Sequence, residues 1–319
     1  MTTADGPVPR KAGARSIAIV GVGKIARDQH IPTIATGEDF ALLAAASRNA
    51  VVGDVECFET LEALLAARPD VECVSLCTPP QVRYADARRA LEAGRHVMLE
   101  KPPGATLAEV QDLAALAGAQ GVTLFATWHS RHAAAVEAAK AWLAAREVRG
   151  VEITWKEDVR RWHPGQEWIW EPGAMGVFDP GINALSILTA IHPRRLHLAS
   201  ADLYFPENRG TPIAADLAFH DPAGHPATAA FDWRQEGDQT WTIRFDTDAG
   251  EALLSDGGAR FTAGGETVFA GPDHEYAGLY ARFAELIAAG ASEVDLSPMI
   301  HVADAFTLGR RIVVDPFHF

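Results

Sequence analysis

The chain has 319 residues, enough for two cores, and its 48% hydrophobic content is that of an ordinary globular protein. Its 42 acidic residues against 28 basic ones give a net charge of −14, which argues against nucleic acid or an anionic membrane as partner. Three cysteines make no readable disulfide framework, and no apolar run reaches the ~18 residues of a membrane span, so a reducing cytoplasm is the expected setting.

Residues 1–15 read as a flexible tail without the apolar core of a secretory signal. Ile17–Val20 is then a short buried strand running into Gly21-x-Gly23-x-x-Ala26 and a helix over Ala26–Thr36. In this context each small residue has a task. Gly21 permits the tight turn, Gly23 lets a pyrophosphate approach the backbone, and Ala26 allows the helix to pack on the strand. The helix N-terminus offers unpaired N–H groups to the phosphates, so Gly21, Gly23, Lys24 and Ile25 are expected to bind a dinucleotide.

Strand and helix signals keep alternating: strands at Ala41–Ala46, Val71–Leu76, His96–Leu99 and Val122–Ala126, and helices at Leu61–Ala67, Ala85–Ala93 and from Thr106 to about Ala119. Thr60 is a plausible cap, and Thr106 with Glu109 has capping-box spacing. Near-continuous apolar strands between helices predict a doubly wound parallel sheet, the Rossmann arrangement, over 16–128. From Val151 the pattern changes to alternating runs: Val151–Val159, Leu196–Phe205, Ile213–His220, Thr228–Arg234 and Trp241–Thr247. Short strands near Glu251–Leu254 and Arg260–Phe261 follow, with helices at Asn183–Ile191, Tyr276–Ala289 and Met299–Ile312. Residues 129–319 are thus expected to be an α+β domain on a large open, mostly antiparallel sheet, with a C-terminal helix able to return to the first domain.

Three loops carry the chemistry of the first half. At the end of the second strand, where NAD enzymes place an acid roughly 20 residues past the glycines, stand Ser47 and Arg48. A hydroxyl beside a guanidinium suits a 2′-phosphate, so NADP is the expected cofactor, with NAD as the alternative and an exposed loop arginine as the bland reading. Cys77-Thr78-Pro79-Pro80 and Glu100-Lys101-Pro102-Pro103 follow two further strands. Ligands of doubly wound sheets bind beyond the carboxyl ends of the strands, so Thr78, Pro79, Glu100 and Lys101 are expected at the nicotinamide end.

These motifs, in this order and spacing, resemble the oxidoreductase family of glucose–fructose oxidoreductase and inositol dehydrogenase. Three later segments are more specific: Trp155-Lys156-Glu157-Asp158-Val159-Arg160, Trp162-His163-Pro164-Gly165 and Asp179-Pro180-Gly181-Ile182-Asn183. They are similar to the branch of that family holding bacterial L-arabinose and D-galactose 1-dehydrogenases, and the resemblance runs from Ile17 through nearly the whole chain. It implies NAD(P)-linked oxidation of an aldose at C1 to the lactone, with subunit contacts often made by the open sheet. Other sugar or polyol oxidation and a non-catalytic dinucleotide-binding regulator are the alternatives.

Oxidising a hemiacetal requires removal of the C1 hydroxyl proton as well as the hydride. The resemblance places Lys101 and Asp179 as the catalytic pair, either able to take the proton, although Asp179 also suits a helix N-cap. Asn183, four residues on, would share a helix face with Asp179 and bond a ring hydroxyl. Glu157 and His163 offer an acceptor and a two-way partner to sugar hydroxyls, and Trp162 a flat apolar face. His129 follows the sixth strand and is a further sugar-contact candidate. Its spacing to His132 is that of a metal pair, but nothing nearby completes a site, so no metal is expected.

Overall fold

The computed structural model describes residues 13–319, in two compact units. The predicted tail lies outside the described residues over 1–12, while Arg15, assigned to it from sequence, already opens the first strand.

Among the described residues the first unit comprises 13–127 together with Tyr276–Val294. Its strands are β1 (Arg15–Val20), β2 (Phe40–Ala46), β3 (Glu56–Phe58), β4 (Cys73–Leu76), β5 (His96–Leu99) and β6 (Leu124–Ala126). They form one sheet of order β3-β2-β1-β4-β5-β6, every neighbouring pair parallel. This is the doubly wound Rossmann order, and its topological switch point falls between β1 and β4. The helices are α1 (Ile31–Thr36), entered through a π-turn at Ala26–His30, then α2 (Leu61–Ala67), α3 (Pro80–Glu92) and α4 (Leu107–Gln120). Helix α3 starts five residues before the predicted Ala85, because Pro80 sits in its first turn, where a missing N–H costs nothing. The Thr60 and Thr106 hydroxyls accept from Ala63 and Glu109 N–H, as their spacing predicts. The Glu109 carboxylate reaches back one residue further than a capping box requires, to Ala105 N–H.

The sequence reading gives all of 129–319 to the second domain, yet Tyr276–Val294 belongs to the first. The apolar face of its helix, Leu279, Tyr280, Phe283, Leu286 and Ile287, packs with Ile17, Ile19, Phe40 and Phe125 on one side of the sheet. Phe283 stacks on Phe40 with ring centres 5.5 Å apart. Without that helix these aromatic and aliphatic groups of the sheet would face water.

The second unit holds helices α5 (Val136–Ala144), α6 (Val159–Trp162) and α7 (Phe178–Ile191); counting the first unit's returning helix as α8 (Glu275–Ala289), its last helix is α9 (Ser297–Leu308). Its strands are β7 (Val148–Lys156), β8 (His197–Pro206), β9 (Ala214–His220), β10 (Ala227–Asp232), β11 (Thr240–Thr247), β12 (Gly250–Ser255), β13 (Arg260–Ala263), β14 (Glu266–Ala270) and β15 (Arg310–Val314). The nine lie in the order β14-β13-β12-β11-β7-β10-β9-β8-β15, antiparallel except for β7–β10 and β8–β15. Two strands of this sheet, and the short β3 of the first, escape the sequence reading. β14 is exposed throughout and so lacks an alternating pattern. β15 begins on residues 310–312, assigned to the last helix, which stops at Leu308; a Cβ at Gly309 would lie 2.3 Å from the Ala305 carbonyl oxygen, and Ile312, Val313 and Val314 are β-branched.

Helix α7 lies against β10 at close range, since a Cβ on Gly181 would come within 2.8 Å of the Phe231 ring. Arg194 ties this region together, its Nε and Nη2 donating at 2.7 and 2.5 Å to the buried Asp221 carboxylate, which also accepts from Ala223 N–H. Hydrogen bonding from Arg194 holds the Asp221 pKa down, to about 2. A depressed carboxylate stabilises the fold fully above its unfolded pKa of about 3.9 and stops doing so as pH falls through its folded value. The advantage of wild type over Asp221→Asn in thermal unfolding is therefore expected to be full above about pH 5 and to vanish towards pH 2.

Candidate active site

Both halves of the chemistry predicted from sequence have a definite local structure. In the first unit, Gly21 has φ +86°, and a Cβ there would lie 2.8 Å from both the Thr78 backbone nitrogen and its methyl group. The loops after β1 and β4 thus touch at the switch point through the one residue that allows it. Gly23 is different: a Cβ there would meet nothing within 4 Å. The space beside Gly23 is therefore open, which leaves its backbone approachable by a phosphate. The Thr78 hydroxyl is buried with no hydrogen-bond partner among the described residues, a second feature suited to a bound polar group. Lys24 pairs with Asp28 one turn on, Ile25 packs half-buried on the core, and Pro79 caps α3.

Beyond β2 lies a hollow of about 600 Å³ lined by Arg27, Ser47, Arg48, Asn49 and Glu59 among others. Ser47 and Arg48 are thus brought together with a second guanidinium, Arg27, that the sequence reading passed over. Its only sequence signal is its place one residue after Ala26 of the glycine motif. The residues present fit a dinucleotide: Gly21 and Gly23 for the pyrophosphate, Ser47 with Arg48 at the end of β2.

The loop after β5 carries Lys101, half-buried, in a cis Lys101–Pro102 peptide. Beneath it the buried Arg83 guanidinium donates to the carbonyls of Thr78, Glu100 and Pro102 and so joins two of the predicted loops. Burial lowers the Arg83 pKa to about 10, which still leaves the group cationic at neutral pH. Glu100, grouped with the cofactor contacts from sequence, is only 3% exposed, and protein groups engage its carboxylate instead: Lys101 N–H at 2.5 Å and the Tyr276 hydroxyl at 2.5 Å.

In the second unit Asp179 stands in the first turn of α7, inside the helix rather than at its cap, which is Val177. A carboxylate is favoured there by the helix dipole. The flanking residues Phe178, Pro180, Gly181, Ile182 and Ala184 are all buried, so Asp179 and Asn183 are the two partly open positions of this stretch and lie one turn apart. His163 Nε2 lies 3.3 Å from Asp179 Oδ2, and its ring packs against Trp233 with centres 5.4 Å apart. Glu157, 6% exposed, accepts from Trp241 Nε1 at 3.0 Å, and Trp241 leans on Trp162 at 5.6 Å. Sequence reasoning missed Trp233 and Trp241 because single tryptophans within strands read as core. His129, a sugar-contact candidate, holds Glu275 at 2.5 Å through Nδ1.

No helix among the described residues is long and apolar enough to cross a membrane. A family model described as an oxidoreductase family with an NAD-binding Rossmann fold matches residues 15–128. A galactose 1-dehydrogenase of Pseudomonas fluorescens is 42% identical over 314 residues, covering 95% of this chain and 98% of that protein. The crystal structure of a D-galactose-1-dehydrogenase protein from Rhizobium etli superposes with a TM-score of 0.93 at 57% identity, over 96% of this chain and 98% of that one. A 3-ketoreductase from Actinomadura kijaniata, solved with TDP-benzene and NADP, shares the fold at a TM-score of 0.79 and 19% identity, over 94% of this chain and 99% of that one. With the glycine turn, the Lys101 loop and the open nine-stranded sheet, these similarities establish that the chain belongs to the glucose–fructose oxidoreductase/inositol dehydrogenase family of NAD(P)-binding oxidoreductases.

Proposed function

We propose that the protein is an aldose 1-dehydrogenase that oxidises galacto-configured sugars, D-galactose, L-arabinose and D-fucose, at C1 to the lactone, with NADP preferred over NAD. The observation that carries the reading is the grouping on one unit of Asp179, His163 and Asn183, polar side chains on or against an otherwise buried helix start. Its relatives named galactose 1-dehydrogenase support the same substrate class. The hollow holding Arg27, Ser47 and Arg48 supports NADP.

When bound, the nicotinamide supplies the two-electron acceptor. The chain's own residues bind the sugar and move the proton. Lys101 and Asp179 are the groups assigned to the C1 hydroxyl proton; Glu157, His163 and Asn183 are assigned to ring hydroxyls, with Trp162 offering a flat apolar face to the sugar and His129 a further contact. The His163 imidazole lies 3.3 Å from the Asp179 carboxylate, close enough for an ion pair when the ring is protonated. Outside the reaction, the setting is cytoplasmic and the open sheet is assigned to self-association.

D-galactose and L-arabinose share the configuration of C2 to C4, so a site built on ring hydroxyls accepts both. Inverting one hydroxyl, as in D-glucose at C4, leaves a buried group unpaired at about 1–3 kcal/mol. Both sugars are expected to exceed D-glucose and D-xylose by at least about tenfold in kcat/KM in an aldose panel run with both dinucleotides. Equal rates with glucose, or turnover of myo-inositol and of no aldose, would overturn the assignment.

A further inference from the structure

Beneath the Lys101 loop the first unit buries more polar chemistry than a loop anchor requires. Glu100 Oε1 accepts from the Tyr276 hydroxyl at 2.5 Å and lies 3.2 Å from His30 Nε2, while Oε2 accepts from Lys101 N–H at 2.5 Å. His30 is fully buried; its Nδ1 is 2.8 Å from the Tyr280 hydroxyl and 3.3 Å from that of Ser75. Tyr276 and Tyr280 also meet the imidazole edge-on, with ring centres at 5.0 and 5.8 Å. The other titratable groups facing this cluster are the Cys77 thiol, 3.8 Å from Ser75 Oγ, and the Arg83 guanidinium on the Glu100 carbonyl.

The donor pattern follows from what each group can do. An ionised carboxylate has only lone pairs, so Tyr276, Lys101 N–H and His30 Nε2–H all donate to Glu100. Burial disfavours the imidazolium, but Cys77, Tyr280 and Glu100 together outweigh it and raise the His30 pKa, consistent with a His30–Glu100 ion pair. Such pairs are costly: well-packed apolar residues in their place are often as stable or more so. What apolar residues do not provide is direction. Here four directional contacts, from the turn after β1, from β4 and from α8, converge on the carboxylate that holds the backbone of Lys101 or on its histidine.

We propose that His30, Glu100 and Tyr276 are positioning residues for Lys101, fixing the loop so that the lysine side chain leaves it in the orientation proton transfer needs. The inference rests on the role given to Lys101 above. A misplaced catalytic group slows the chemical step while leaving dinucleotide binding on the glycine turn alone.

The test compares Tyr276→Phe, His30→Gln, His30→Leu and Lys101→Ala by steady-state kinetics with D-galactose and NADP, alongside thermal unfolding. Tyr276→Phe keeps its ring in the core and removes only the hydroxyl. It is expected to lower kcat about tenfold with KM for NADP within twofold of wild type. His30→Gln, which can still donate to Glu100, is expected to keep more turnover than His30→Leu. If Tyr276→Phe and His30→Leu turn over at the wild-type rate while Lys101→Ala is inactive, the positioning role is overturned and the assigned function stands. A loss confined to KM for NADP overturns it as well; a Lys101→Ala variant with wild-type turnover removes the lysine role on which the inference rests, and a wild type that does not turn over D-galactose overturns the function itself.

Discussion

Lys101→Ala and Asp179→Ala are each expected to lower kcat by about 10²–10⁴-fold, the usual contribution of a positioned acid or base, with dinucleotide binding retained. The two sit in different settings. Lys101 leaves a loop held by Arg83 and the buried Glu100, whereas Asp179 lies in the first turn of α7 with His163 at 3.3 Å. If they act as a coupled pair, the double variant falls by much less than the product of the single losses, and the pH profile of kcat reports the pair rather than either residue. Dinucleotide affinity, followed by fluorescence titration, separates loss of chemistry from loss of binding. Near-wild-type turnover in either single variant would remove that residue from the mechanism.

Arg48→Ala is expected to raise KM for NADP and leave NAD nearly unchanged. A charge-assisted phosphate contact is worth on the order of 1.5–3 kcal/mol, so kcat/KM with NADP falls about tenfold to a hundredfold. Arg48 is exposed beside a hollow that also holds Arg27 and Ser47, so some of the phosphate attraction survives the substitution. The Glu59 carboxylate in the same lining opposes it. Measuring both dinucleotides on wild type and variant decides the matter. A wild type that prefers NAD, or a variant that loses both equally, rules out Arg48 as the phosphate ligand.

Local patterns determined much of this protein. The apolar strands β1, β2, β4 and β5 and the glycine turn are legible because a parallel sheet buried on both faces writes continuous hydrophobic runs, and because only small residues tolerate the turn at Gly21. The i,i+4 spacing of Asp179 and Asn183 and the end-of-strand places of Ser47, Thr78 and Lys101 are likewise sequence facts. Contacts between residues far apart in the chain were decided only by tertiary structure. That α8 belongs to the first unit follows from Phe40, Phe125 and Phe283 meeting, and no window of sequence contains all three. His30 and Tyr280 are 250 positions apart, so a cluster under the Lys101 loop has no periodicity to announce it. Nor does any local signal mark Glu100 as turned inward, or β15 as a strand beside β8, because each depends on a partner that only folding supplies. Spacing reports what one element can do by itself; side chains brought together by different elements are visible only once the chain has closed on itself.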